Sequence, residues 1–228
     1  MNCVGIIPAR GGSKGIPGKN LAEVGGKPLL SWCIESALRS KSIDRLVVST
    51  DDPQIADISA QLGAEVVIRP PELSGDLVAS EEALLHALAH LRAVEDYHPT
   101  LLAFLQCTAP LTLPEDIDGT INVLQVEEAD SALAVAPFHS FLWKRHPASG
   151  GMGINHDHTQ RLMRQQIKPQ YREAGAVYAM NVAGFRRAGH RFFGKIALYE
   201  IPTERCWEID QPFDVEVANT LLNRRQRH

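Results

Sequence analysis

Cysteine is scarce and scattered in this chain of 228 residues: Cys3, Cys33, Cys107 and Cys206 form no C-x-x-C pair. That spacing excludes a disulfide framework and a zinc ribbon, and points to reduced, mostly buried thiols in a cytoplasmic protein. No apolar run approaches the roughly 20 residues of a membrane-spanning helix. Met1-Asn2-Cys3-Val4 leads straight into a strand pattern, so neither a membrane anchor nor a secretory leader is expected. Positive charge is not in excess: 23 Lys and Arg stand against 27 Asp and Glu, a formal net charge of -4. Nothing basic enough to neutralise a nucleic-acid backbone is present overall, and the basic end Arg224-Arg225-Gln226-Arg227-His228 reads as a solvated helix terminus. Internal repeats, an interdomain linker, a G-x-S-x-G elbow, a Walker A loop and a G-x-G-x-x-G fingerprint are all missing. His156 with His158, and His86 with His90, have zinc-like spacing but no third ligand nearby, and read as surface and helix-face histidines.

What is present is an ordinary globular composition, 44% apolar and 22% charged, long enough for one well-buried α/β domain. Apolar or β-branched runs at Cys3–Pro8, Arg45–Thr50, Glu65–Ile68, Leu101–Gln106, Ser131–Val135, Ala176–Met180 and Lys195–Ile201 predict strands. Helical periodicity covers 29–40, 54–62, 80–91, 116–126 and 213–224, with Ser80 in an N-cap position. Strand and helix alternate, which predicts a parallel sheet wrapped by helices. Between His139 and about Gln170 the rhythm fails. That polar stretch is too long for a plain connection and suits a binding segment, lid or oligomer arm.

The most informative segment is Pro8-Ala9-Arg10-Gly11-Gly12-Ser13-Lys14-Gly15-Ile16-Pro17-Gly18-Lys19-Asn20. A strand feeding a glycine-rich loop lets main-chain N–H groups approach an anion, and Arg10, Lys14 and Lys19 add three cations over ten residues. The residues alone leave two readings, a triphosphate-binding loop or a solvated basic one. Gln106 ends an apolar strand at its carboxyl edge, where ligands of open α/β sheets gather. Glu208 and Asp210 alternate along a strand-like stretch, so both carboxylates can share a face.

Five motifs, in one order, resemble those of the N-acylneuraminate cytidylyltransferases, the CMP-sialic acid synthetases. They are Ile6 to Leu21, the strand end Val47-Val48-Ser49-Thr50-Asp51 with the loop Arg69-Pro70-Pro71-Glu72-Leu73-Ser74-Gly75-Asp76, the turn Leu105-Gln106-Cys107-Thr108-Ala109-Pro110-Leu111, the stretch Tyr171-Arg172-Glu173-Ala174-Gly175-Ala176-Val177-Tyr178, and Glu208-Ile209-Asp210. The resemblance implies a three-layer, Rossmann-like α/β fold of the nucleotide-diphospho-sugar transferase type, with a mostly parallel sheet. One domain over 1–228 would carry an insertion at about 139–175 for sugar binding and dimerisation. The implied reaction transfers CMP from CTP to the anomeric hydroxyl of a nine-carbon 2-keto sugar acid, with release of pyrophosphate.

Carried over residue by residue, Arg10, Lys14 and Lys19 would hold the triphosphate, with Ser13 and Asn20 beside the nucleotide. Arg69 and Ser80 would meet the cytidine end, although the residues alone also allow Arg69 a surface ion pair with Glu72 or Asp76. Gln106, Lys144 and Arg164 would hold the sugar, and Tyr178, Phe192 and Phe193 would wall its acyl group. Asp210 and Glu208 would bind Mg²⁺, and Arg10, Lys19 and Asp210 would carry the catalysis. The chain departs from the family pattern with Glu208 where Asp is usual, and with Thr112 where many relatives have Arg. A homodimer is implied, and the acceptor stays open among sialic, legionaminic, pseudaminic and deaminated neuraminic acids and Kdo. A glycosyltransferase would want D-x-D where Gln106-Cys107-Thr108 stands, and a nucleotide sensor is the third reading.

Overall fold

The computed structural model describes residues 2–13, 15–148, 150–160 and 162–226, without the side chains of Arg164 and Gln226. Its eleven strands are β1 (Cys3–Pro8), β2 (Glu23–Val24), β3 (Lys27–Pro28), β4 (Arg45–Thr50), β5 (Glu65–Ile68), β6 (Leu101–Leu105), β7 (Ser131–Pro137), β8 (Trp143–His146), β9 (Gly150–Gly153), β10 (Tyr171–Asn181) and β11 (Ile196–Glu200). Six helices join them: α1 (Leu29–Leu38), α2 (Pro53–Gln61), α3 (Ser80–Glu95), α4 (Pro114–Val126), α5 (Val182–Ala188) and α6 (Pro212–Gln226).

Seven strands form one sheet in the order β11-β7-β10-β6-β1-β4-β5. β1 lies at its heart, parallel to β4 and β6, and is apolar and buried almost throughout, as a strand covered on both faces must be. One face packs Leu30, Ile34 and Ala37 of α1, Ile55 of α2, and Ile117, Ile121 and Leu124 of α4. The other packs Leu84, Leu88 and Leu91 of α3 with Val182 and Phe185 of α5, which gives the expected three layers. A third cluster joins Val24, Leu29, Leu111 and Ile209 to Ala218 and Leu222 of α6. Ile209 is fully buried there, and so fixes the backbone between Glu208 and Asp210.

β10 departs from the expected parallel pattern: it runs antiparallel to both β6 and β7. The chain leaves β7 at Pro137 and returns at Tyr171 directly opposite, so no crossover helix turns it round. The intervening segment is not wholly irregular, because β8 and β9 pair there as an antiparallel hairpin. α3 also corrects an expectation. Ala79 is its N-cap, and Ser80 is its first helical residue and makes no capping bond.

Candidate active site

The carboxyl ends of β1, β4 and β6 lie side by side, and the residues that follow them share one rim. A cleft of about 170 Å³ is lined by Arg10, Ser13, Lys19, Asn20, Ser80, Phe104, Gln106 and Thr108, among others. Six of the residues read from the sequence as nucleotide or sugar ligands therefore meet in one place: Arg10, Ser13, Lys19, Asn20, Ser80 and Gln106. Lys14 lies outside the described residues.

The loop after β1 is fastened on several sides. Ala9 N–H donates to Ser49 O at 2.9 Å, Gly11 N–H to Asp51 Oδ1 at 3.1 Å, and Asn20 Nδ2 to Arg10 O at 3.0 Å. Gly15 passes so near Asp210 that a Cβ there would sit 2.5 Å from the Asp210 carbonyl oxygen. Arg10 is paired with Asp76 at 3.0 Å and donates to Gly75 O at 2.9 Å. Lys19 Nζ donates to Ile209 O at 2.9 Å and meets Asp210 Oδ1 at 3.1 Å. Among the described residues, the loop cations Arg10 and Lys19 thus both rest on carboxylates.

Lys19 brings the acid pair to the cleft's edge. Residues 207–210 have no regular secondary structure and belong to no sheet; Ile209 N–H donates to Thr108 O at 2.8 Å, beside the cleft. Asp214 accepts the N–H groups of Asp210 and Gln211 at 2.9 and 2.8 Å, holding the turn into α6. Asp210 is exposed, while Glu208 is half-buried beneath Gly175. Gly175 has φ +58°, and a side chain on it would overlap the Glu208 carboxyl, so glycine is required there on two counts. Burial pushes the Glu208 carboxyl up to about 7, with Asp210 and Glu173 adding to the rise and Lys19 and Arg172 opposing it.

Other expected ligands are placed elsewhere. Arg69 is buried and does not line the cleft; its Nη2 donates to Ser49 O at 2.9 Å and its Nη1 to Leu73 O at 3.3 Å. Burial lowers its pKa, which Asp51 opposes and Arg10 reinforces. Tyr178 is buried and stacks on the cleft residue Phe104, centroids 5.1 Å apart, while its hydroxyl donates to Glu173 Oε1. Phe192 meets Tyr178 edge-on at 5.9 Å. Phe193 packs against the same core and accepts a bond from Ser131 Oγ at its carbonyl. Lys144 is exposed on β8 and does not line the cleft; Arg164 begins a short turn at Arg164–Gln166, and its side chain lies outside the described residues. The His156 ring packs against Phe141 and Trp143, as a surface histidine does.

A family model described as cytidylyltransferase matches residues 4–200. The chain belongs to the cytidylyltransferase family. N-acylneuraminate cytidylyltransferase B of Danio rerio is 32% identical over 226 residues, which cover 96% of this chain and 51% of that protein. The N-acylneuraminate cytidylyltransferase of Escherichia coli is 30% identical over 98% of this chain and 53% of its own length. The chain spans about half the length of these relatives. CMP-N,N'-diacetyllegionaminic acid synthase of Legionella pneumophila, 29% identical, is matched over 98% of its length. In structure, a CMP:2-keto-3-deoxy-manno-octonic acid synthetase complexed with CTP superposes with TM-score 0.72 at 18% identity, covering 99% of this chain and all of that one. The resemblance read from the motifs is borne out over nearly the whole chain, and the structural likeness shows the nucleotidyltransferase fold of this cytidylyltransferase.

Proposed function

We propose that this chain transfers CMP from CTP to the anomeric hydroxyl of a nine-carbon 2-keto sugar acid, releasing pyrophosphate. The observation that carries the reading is the single cleft in which Arg10, Ser13, Lys19, Asn20, Ser80 and Gln106 converge, with Asp210 tied to its edge through Lys19.

Arg10 and Lys19 exchange their carboxylate partners for phosphate oxygens and neutralise charge on the triphosphate, which is most of what catalysis of in-line transfer asks of a protein. Ser13, Asn20 and Ser80 hold the nucleotide by neutral hydrogen bonds. Gln106 orients the sugar hydroxyl toward the α-phosphorus. Asp210 and Glu208 would hold Mg²⁺, because their donors are hard oxygens, and a cation there would offset both the burial and the neighbouring carboxylates that push the Glu208 carboxyl up to about 7. Among the described residues no group of three or more His, Cys, Asp or Glu could hold a metal alone, which suits an ion that completes its shell with phosphates and water. Bound there, Mg²⁺ would polarise the α-phosphate as a Lewis acid.

The 228 residues are proposed to act as one cytidylyltransferase unit with an insertion at about 139–175. The proposed unit is a homodimer. Leu142, Trp143, Ile154 and Met163 of that insertion are all exposed, while Lys144 stays off its own chain's cleft, a surface that suits a second subunit. Four free, buried thiols accord with a reducing cytoplasm, and among the described residues no helix is long and apolar enough to cross a membrane.

Incubation with CTP, Mg²⁺ and a panel of N-acetylneuraminic, legionaminic, pseudaminic and deaminated neuraminic acids and Kdo tests the reading. A CMP ester of one nine-carbon acid, seen by mass spectrometry, supports it. A product from Kdo alone would contradict the acceptor class, and no product at all would contradict the function.

A further inference from the structure

Arg191 precedes the Phe192-Phe193 pair, and its sequence context gives it no motif. In the fold it occupies the junction of the cleft's aromatic wall. Nε lies 2.7 Å from Glu81 Oε1 and Nη2 lies 3.3 Å from Glu81 Oε2, and the Glu81 side chain is only 8% exposed. The guanidinium carbon lies 4.7 Å from the Phe104 ring centroid and 4.8 Å from that of Tyr178. The Tyr178 ring under this guanidinium carries the connection on, because its hydroxyl donates to Glu173 Oε1. The result is a continuous run, Glu81–Arg191–Tyr178–Glu173. The run reaches the site at two points, because Glu81 follows the cleft residue Ser80 and the ring beneath Arg191 is the cleft residue Phe104.

Stability alone gives no reason for a buried charge pair at this place. Burial pushes the Glu81 carboxyl up, and Arg191 more than offsets it, yet apolar side chains of similar size pack as well as such pairs or better. What the ion pair adds is direction. A guanidinium is a rigid fork with fixed donor directions, so once Glu81 takes Nε and Nη2 the remaining donors can point only one way. The same pairing fixes the guanidinium plane, which lies over the Phe104 and Tyr178 rings. The nucleotide side needs no such help, because α3 is anchored independently by Ala83, Leu84, Ala87 and Leu88.

We propose that Arg191 is a positioning residue for the acceptor sugar, fixing the Tyr178 and Phe104 wall against the cleft and leaving CTP binding unaffected. The proposal rests on the CMP-transfer reading above. A wall that is already ordered spares the sugar the entropic cost of ordering it, so loss of the clamp falls on acceptor affinity.

The test measures pyrophosphate release by the full chain, varying the sugar acid at saturating CTP and then CTP at saturating sugar. Arg191→Lys, Arg191→Met and the double variant Arg191→Met with Glu81→Leu are compared with the wild type. Arg191→Met raises the acceptor KM about tenfold, with the CTP KM within about threefold, and Arg191→Lys falls between, because a point charge pairs with Glu81 but does not reproduce the fork. Arg191→Met strands the buried Glu81 carboxylate and lowers the melting temperature; the double variant removes that charge and recovers it. The acceptor KM stays raised in the double variant. Return of the acceptor KM along with stability would reduce Arg191 to a structural role and overturn the proposal, as would an equal rise in both KM values. A wild type that releases pyrophosphate with no sugar acid would overturn the functional reading itself, and this proposal with it.

Discussion

The loop Ala9–Asn20 and the segment 139–170 are both rich in cations and glycine, yet they behave as opposites. The first is fastened to β4, to residues 209–210 and to itself, so Arg10 and Lys19 arrive at one cleft. The second folds on its own as the β8–β9 hairpin, with Trp143 and Ile154 exposed and Lys144 turned to solvent. Composition does not separate them; attachment does. A basic residue becomes a ligand where buried strands hold its backbone, and the nucleotide half of this site is built that way within one chain. The aromatic residues proposed for the sugar are held in that way too, whereas Lys144 stands exposed and off the cleft.

The largest effect tests the fastened half. Asp210→Ala lowers turnover by about a thousandfold, on the scale of losing a principal charge-stabilising group, with the melting temperature nearly unchanged because the side chain is exposed. Steady-state rates with circular dichroism check it, and near-normal activity dependent on Mg²⁺ would sink the assignment.

Next comes the hinge between the halves. Gly175→Ala combines a disfavoured positive φ with overlap on Glu208 and costs about 3 kcal/mol of stability, read from the urea midpoint. An unchanged midpoint would show that β10 does not need its bend.

The loose half is tested by complementation. Lys144→Ala loses activity alone, and mixing it with Asp210→Ala restores some, because one site then has its own Asp210 and the other subunit's Lys144. Absence of recovery in exchanged mixtures would place Lys144 outside any shared site.

The smallest effect is a pH dependence of stability in EDTA. The Glu208 carboxyl is raised to about 7 from 4.5, so the native state keeps a proton that the unfolded chain has lost. Its penalty on folding is absent below about pH 4.5, grows as pH rises toward 7, and is complete above that. Glu208→Gln removes it. Because Glu208 is only part-buried, the gain at pH 8 is trimmed by screening to about 1 kcal/mol, a rise of about 2–4 °C in Tm, with none at pH 4. An equal gain at both values would point to packing instead.

The same contrast explains what could be read from the sequence. β1 and β4 match their predicted bounds because buried parallel strands are unbroken apolar or β-branched runs ended by Pro or Asp, and the edge strand β5 matches because Gly63 and Arg69-Pro70 punctuate a short β-branched run. The acid pair and the glycine-rich loop could be singled out as candidates for a related reason, since their spacing is local. β8 and β9 were missed because Gly150-Gly151-Met152-Gly153 carries no alternation. β10 was read short because Arg172, Glu173 and Gly175 interrupt it where it bends. α5 is only seven residues long, and Asn181, whose side chain caps it through Gly184 N–H at 2.6 Å, was the available sign. Arg191 and Glu81 stand 110 residues apart, and only the fold brings them together.

The account's central claim is tested most directly by steady-state pyrophosphate release from the full chain with Mg²⁺, each of the four ribonucleoside triphosphates and a nonulosonic acid. The account predicts release that requires both CTP and the sugar acid and disappears in Asp210→Ala. Release from CTP without any sugar, or equal release from all four nucleotides, would contradict it.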